Sequence, residues 1–247
     1  MAGKEGKSPL EQFRIKEIFE LNLFGYDISI TNSSLFMIIT TIAIISYFLS
    51  AIKNQQIIPG RLQVTAEFLY NFIRNILTEN AGPAALKFFP LAFSLFMFVL
   101  FSNLLGMIPY SFTTTSHIFT TFSLAAILFF IVVIAAFLKH GLKFFSIFLP
   151  AGTPLWLAPL LIVIELFAYL MRPVSLSIRL AANMTAGHTM LKVIAGFILP
   201  LGYLGGWLPL LFLVILTGFE IFVAILQAYI FTMLACVYLS DAVELHH

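Results

Sequence analysis

The sequence predicts an all-α membrane protein: about five transmembrane spans, an amphipathic interfacial helix, and a strongly tilted hairpin made by the last two long helices. Three observations carry this. Of 247 residues, 61% are hydrophobic and 10% charged, with a mean hydropathy of +1.03, against about 45–50% and about 25% in soluble domains. The apolar runs are continuous rather than alternating, the pattern of membrane helices and not of a β-barrel. Toward the C-terminus, two helical stretches are too long to stand upright in a bilayer. Disorder needs low hydrophobicity and high net charge, and is excluded. The net charge of +2 gives no footing for a nucleic-acid partner. The single cysteine, Cys236, cannot form an internal disulfide and reads as a small packed residue.

The N-terminal segment, 1–30, balances Lys4, Lys7, Arg14 and Lys16 against Glu5, Glu11, Glu17 and Glu20. It lacks the short apolar core and small-residue cleavage site of a signal peptide. Residues 35–52 are free of Asp, Glu, Lys and Arg and form the first span. Residues 61–80 place Leu62, Leu69, Phe72, Ile73, Ile76 and Leu77 on one stripe, with Glu67, Asn71, Arg74 and Thr78 on another. That pattern predicts an amphipathic helix lying at the interface, with a soluble connecting helix as the alternative. Residues 88–138 again lack the four charged types, with a polar break at 111–117 preceded by Pro109. Two spans follow, 89–109 and 118–138, each near the ~20 residues that cross the hydrocarbon core.

The stretch after Lys143 is apolar but carries Pro150, Gly152, Pro154 and Pro159. It reads as a re-entrant or interfacial loop. From 156 to 199 the chain reads as one helix, interrupted only by Pro173, roughly 65 Å long at 1.5 Å per residue. Gly202, Gly205, Gly206 and Pro209 make a turn, and a second long helix runs over 208–239. Lys53, Arg61, Arg74 and Lys87 follow the first span, Lys139 and Lys143 follow the third, and the loops at 110–117 and 200–207 carry no Lys or Arg. Basic connections stay on the cytoplasmic or matrix side. This predicts an outer N-terminus and an inner C-terminus, although the basic residues of the N-terminal segment pull the other way.

Ionisable groups in a span cost at least ~2.5 kcal/mol at its centre and default to functional hypotheses. Glu165, Arg172, Arg179, His188, Lys192, Glu220 and Asp241 all lie on the two long helices. Glu165, Arg172 and Arg179 are seven apart and share a stripe with Asn183, one turn beyond Arg179; Glu220 and Gln227 share another. Folding the helices about residue 203 brings Arg179 level with Gln227, His188 with Glu220, and Glu165 with Asp241. Polar groups thus fall at an outer, a central and an inner depth. Glu, His and Asp can exchange protons near neutral pH once burial and neighbours adjust them. Arg179 cannot be deprotonated, so it can only hold a fixed positive charge. Titratable groups at two depths with a fixed cation between them describe two half-pathways that do not join. Blander roles stand beside these. Glu165 and Asp241 can be interfacial, as Arg172 and Lys192 can snorkel. His188 can be a packed histidine bonded to a hydroxyl, and Asn183 and Gln227 can be glue between helices.

SLSIRLAANMTAGH (175–188) closely resembles the central motif of subunit a of F-type ATP synthases. So do NLLGMIPYSFTTTSHI (103–118), GTPLWLAPLLIVIELF (152–167) and GFEIFVAILQAYIFTMLACVYLSDAVELH (218–246). SPLEQF (8–13) and TNSSLF (31–36) are similar to the alphaproteobacterial and mitochondrial branch, and a histidine on the earlier helix with a glutamate on the later one departs from some bacterial members and resembles the mitochondrial arrangement. The resemblance implies a non-catalytic, proton-translocating stator subunit facing a c-ring of proteolipid subunits. Arg179 matches the essential ring-facing cation, with Asn183 and Gln227 near it. Asn103, His188 and Glu220 match the outer half-channel, and Glu165 and Asp241 the inner one. The implied partners are the c-ring, the peripheral-stalk and other membrane subunits, and the lipid bilayer. No cofactor, metal or nucleic acid is implied. The implied location is the mitochondrial inner membrane or the bacterial plasma membrane. The alternatives from other classes are a self-contained ion or solute transporter, or an assembly scaffold. No GxxxxGK[ST] phosphate loop is present.

Overall fold

The computed structural model describes residues 15, 17–19, 22–23, 26–27, 29–53, 56–108, 111–148 and 156–243. The stretches read as spans are helical: α1 (Asn32–Lys53), α3 (Phe89–Gly106), α4 (Ile118–His140), α5 (Ala158–Ile198) and α7 (Trp207–Val243), with α2 (Arg61–Ala81) after the first. Among the described residues, five helices are long and apolar enough to cross a membrane. Two short antiparallel pairings precede α1: β1 (Glu17–Phe19) with β4 (Ile30–Thr31), and β2 (Asn22–Leu23) with β3 (Tyr26–Asp27). The motif at 8–13 and the loop at 149–155 lie outside the described residues.

Local chemistry explains where the boundaries moved. Helix α1 begins earlier than the apolar run because Thr31 and Ser34 cap it reciprocally. The Ser34 N–H donates to Thr31 Oγ1 at 3.3 Å and the Thr31 N–H to Ser34 Oγ at 3.0 Å. Helix α3 stops at Gly106 rather than 109. Its end tightens through Met107 N–H to Leu104 O and Ile108 N–H to Leu105 O, both 3.2 Å, and Pro109 disfavours helical geometry at the residue before it. The turn after α5 contains a short helix, α6 (Gly202–Gly205), entered through Gly202 at φ 63°, a left-handed value that suits glycine. Gly206 must also lack a side chain, since a Cβ there would lie 2.7 Å from the carbonyls of Ile198 and Gly202.

The chain forms two compact units: Met1–Ile45 with Phe98–His117 and Leu180–Gln227, and Ser46–Met97 with Ile118–Arg179 and Ala228–His247. The second is packed in the ordinary apolar way. Thr121, Ala125, Leu128, Val132 and Ala136 form the buried face of α4, at the three- and four-residue spacing of one helix side. The buried residues of its α7 portion include Ala228, Thr232, Ala235 and Cys236, small enough for helices to approach closely. Tyr169 is buried among Phe129, Phe148 and Phe144, with ring centroids at 5.2, 5.6 and 6.3 Å. The apolar stripe of α2 splits: Ile73, Ile76 and Leu77 are buried, and Leu62 is exposed. The later turns of the helix pack on α3 through Tyr70–Phe89 and Phe72–Phe96. The earlier turns meet the end of α1 through the Tyr47–Thr65 hydroxyl contact of 2.7 Å.

Candidate functional site

The first unit buries polar groups. Asn103 on α3, Glu220 and Gln227 on α7, and Thr113, Thr114 and Thr115 in the loop after α3 are all buried. The fold-back register predicted from the sequence brings His188 to Glu220: imidazole Nδ1 lies 3.8 Å from Oε1. Neither Glu220 carboxylate oxygen has a hydrogen-bond partner among the described residues. The carboxylate reaches this position because residue 187 is glycine. A Cβ there would stand 2.5 Å from Glu220 Oε1 and 3.0 Å from Cδ, closer than real side chains pack. On its other edge, His188 Nε2 lies 3.1 Å from Thr113 Oγ1. A second contact from the same loop runs from the Thr185 hydroxyl to Ser116 O at 3.2 Å.

About two turns farther along α7, the Asn183 amide donates to Gln227 Oε1 at 2.9 Å. Asn103 Nδ2 donates to the Ala224 carbonyl at 3.2 Å, while its Oδ1 and Gln227 Nε2 have no protein partner among the described residues. Buried polar groups are nearly always satisfied, so each of these atoms calls for water or a partner. Asn103, His188, Glu220 and Gln227 therefore line the interior of the same unit, and Asn183 joins them from an exposed position on α5.

The remaining site residues lie in the second unit. Arg172 is held between aromatic faces, its guanidinium carbon 5.0 Å from the Tyr169 ring and 5.1 Å from the Tyr238 ring, an arrangement worth about 2 kcal/mol when desolvated. Arg179, two turns on, is exposed, and no described carboxylate pairs with it. Glu165 is half-buried. Asp241 falls on α7, with its side chain outside the described residues. The two arginines share a stripe in sequence, yet their surroundings differ.

Sequence reasoning missed Thr113 and Gly187. Both signals were legible in retrospect: a run of hydroxyls in the break at 113–116, and a glycine immediately before the one histidine of the long helices.

These features define a multi-pass helical membrane protein with a buried carboxylate–imidazole pair and an exposed arginine midway along a long helix. Residues 34–240 match the family model for the ATP synthase A chain. The match takes in most of the 247 residues, and the chain belongs to that family. It is accordingly a non-catalytic, proton-translocating membrane subunit of an ATP synthase, with a c-ring among its partners.

Proposed function

We propose that this chain couples proton flow to ring rotation through two offset half-channels separated by Arg179. Protons arrive from the outer side past Asn103, His188 and Glu220 and neutralise a ring carboxylate. The neutral carboxyl can face lipid, which a charged one could do only at a cost of several kcal/mol. After nearly a full turn it reaches the inner half-channel at Glu165 and Asp241 and loses its proton. The new carboxylate is attracted to Arg179, which has no proton to give. A membrane potential adds about 2.3 kcal/mol per charge per 100 mV, and inlets opening on opposite sides make rotation directional. The orientation follows from the basic connections, with the N-terminus outside and the C-terminus inside. The motifs at 8–13 and 31–36 favour the alphaproteobacterial and mitochondrial branch, and the order of histidine and glutamate resembles the mitochondrial arrangement. The membrane is then the mitochondrial inner membrane or a bacterial plasma membrane, and peripheral-stalk subunits complete the stator.

The observation that carries this reading is the exposure of Arg179. A guanidinium midway along an apolar helix, with no carboxylate beside it among the described residues, calls for an anion, and a ring carboxylate would supply one. Along α5, positions 175, 178, 179, 182, 183, 186 and 190 are exposed, and Ser175, Ala182 and Ala186 are small enough for a partner helix to come close. Arg179→Ala is expected to abolish proton-driven ATP synthesis while the complex still assembles. Retained synthesis would refute the role. Co-purification with a ring of small proteolipids separates this reading from a self-contained transporter.

A further inference from the structure

We propose that Thr113 is a positioning residue that fixes the tautomer of His188, so that the imidazole presents an unprotonated Nδ1 to Glu220. The inference rests on the half-channel reading and deepens it. Three distances carry it. Thr113 Oγ1 lies 3.4 Å from the Gly106 carbonyl and 3.1 Å from His188 Nε2, and His188 Nδ1 lies 3.8 Å from Glu220 Oε1. A hydroxyl has one proton and can accept as well. A carbonyl can only accept, so making both contacts at once sends the Thr113 proton to Gly106 O, beside the Ser111 hydroxyl that also donates there at 2.9 Å. The Thr113 oxygen is then left to accept from His188 Nε2–H. In a neutral imidazole the other nitrogen bears the lone pair, and here that nitrogen is the one facing Glu220.

The surroundings hold this arrangement in register. Thr113 is buried, and Gly106 admits it at close range: a Cβ on residue 106 would lie 2.7 Å from Thr113 Cγ2 and 3.0 Å from Oγ1. Gly187 does the same for the Glu220 carboxylate on the opposite side. The hydroxyl, imidazole and carboxylate are thus set between two glycines on α3 and α5. When Glu220 is protonated, the contact can shorten to hydrogen-bond range, with the carboxyl O–H directed at the Nδ1 lone pair. Transfer of that proton gives a carboxylate and an imidazolium, with nothing else consumed. The opposite tautomer would aim N–H at the carboxylate and leave no acceptor for its proton. A histidine bonded to a hydroxyl is therefore more than a packed core residue here, because the same bond decides what its other edge can do.

The test uses the assembled ATP synthase, labelled with ¹⁵N-histidine and reconstituted in vesicles, with the His188 signals assigned by their loss in His188→Gln. Magic-angle-spinning NMR should find the neutral ring protonated at Nε2 and bare at Nδ1. Thr113→Val should shift the ring toward the other tautomer and slow proton-driven synthesis roughly two- to tenfold, the fold-change one neutral hydrogen bond supplies. Thr113→Ser should restore both the spectrum and the rate. A wild-type ring protonated at Nδ1 would overturn the proposal, as would Val and Ser variants that behave alike. The wild-type spectrum decides the matter even if Thr113→Val does not assemble. Should Glu220→Gln leave proton uptake unchanged, the half-channel reading fails instead, while the ring spectrum still reports on Thr113.

Discussion

The two compact units bury different chemistry. Around His188, the interior holds an imidazole, a carboxylate, two amides and a run of threonines, several with atoms that no described residue satisfies. Around Tyr169, the interior is aromatic and aliphatic, and the arginine beside it is covered by two rings. Partly satisfied polar networks cost stability, so a membrane protein has no structural reason to collect them in one place. The contrast separates a polar interior, where the proposed outer half-channel lies, from an apolar one that holds Arg172 and its neighbours in position. The two arginines also differ: Arg172 is covered by two rings of its own chain, whereas Arg179 is exposed and has no carboxylate beside it among the described residues.

The largest effect should come from removing a proton carrier. Glu220→Gln keeps the shape of the side chain and loses its titration. Proton uptake from the outer side, followed by a pH-sensitive dye in vesicles, should fall at least about 100-fold, as for loss of a positioned acid–base group. An unchanged rate would remove Glu220 from the path. A smaller effect is expected from Gly187→Ala, because the added methyl collides with the Glu220 carboxylate and must displace it. Synthesis should drop about tenfold, and the shorter Glu220→Asp side chain should recover part of the loss in the double variant. If the alanine variant is fully active, the close approach is not needed. The smallest effect belongs to the aromatic unit. Arg172→Met should lower the stability of the subunit by about 1–2 kcal/mol, read from thermal denaturation, with synthesis per assembled complex near wild type. A loss of coupling there would blur the division between the two units.

Much of this was legible in the sequence because its signals are periodic or costly. Charge-free runs of membrane length located the spans, and the turn at 202–206 set the register that brings His188 to Glu220. Intramembrane charges marked the site because each needs a reason to be there. What escaped was close-range fit. Nothing in the spacing of Thr113 reveals that a loop hydroxyl reaches a helix 75 residues away. Gly187 reads as one more small residue of a membrane helix until the carboxylate is seen against it. The alternative offered by the sequence for Asn183 and Gln227 also stands in part, since the two amides do join α5 to α7. Helix ends shifted where capping outweighed hydropathy, as at Thr31 and Ser34.

The role of Arg179 as a barrier is tested most directly by passive proton flow through the membrane sector with the catalytic head stripped away. With the ring immobilised by cross-linking, wild type should hold an imposed pH gradient. Arg179→Ala should let it collapse, because ring carboxylates beside the subunit can then exchange protons with both inlets. A variant that holds the gradient as tightly as wild type would contradict the account.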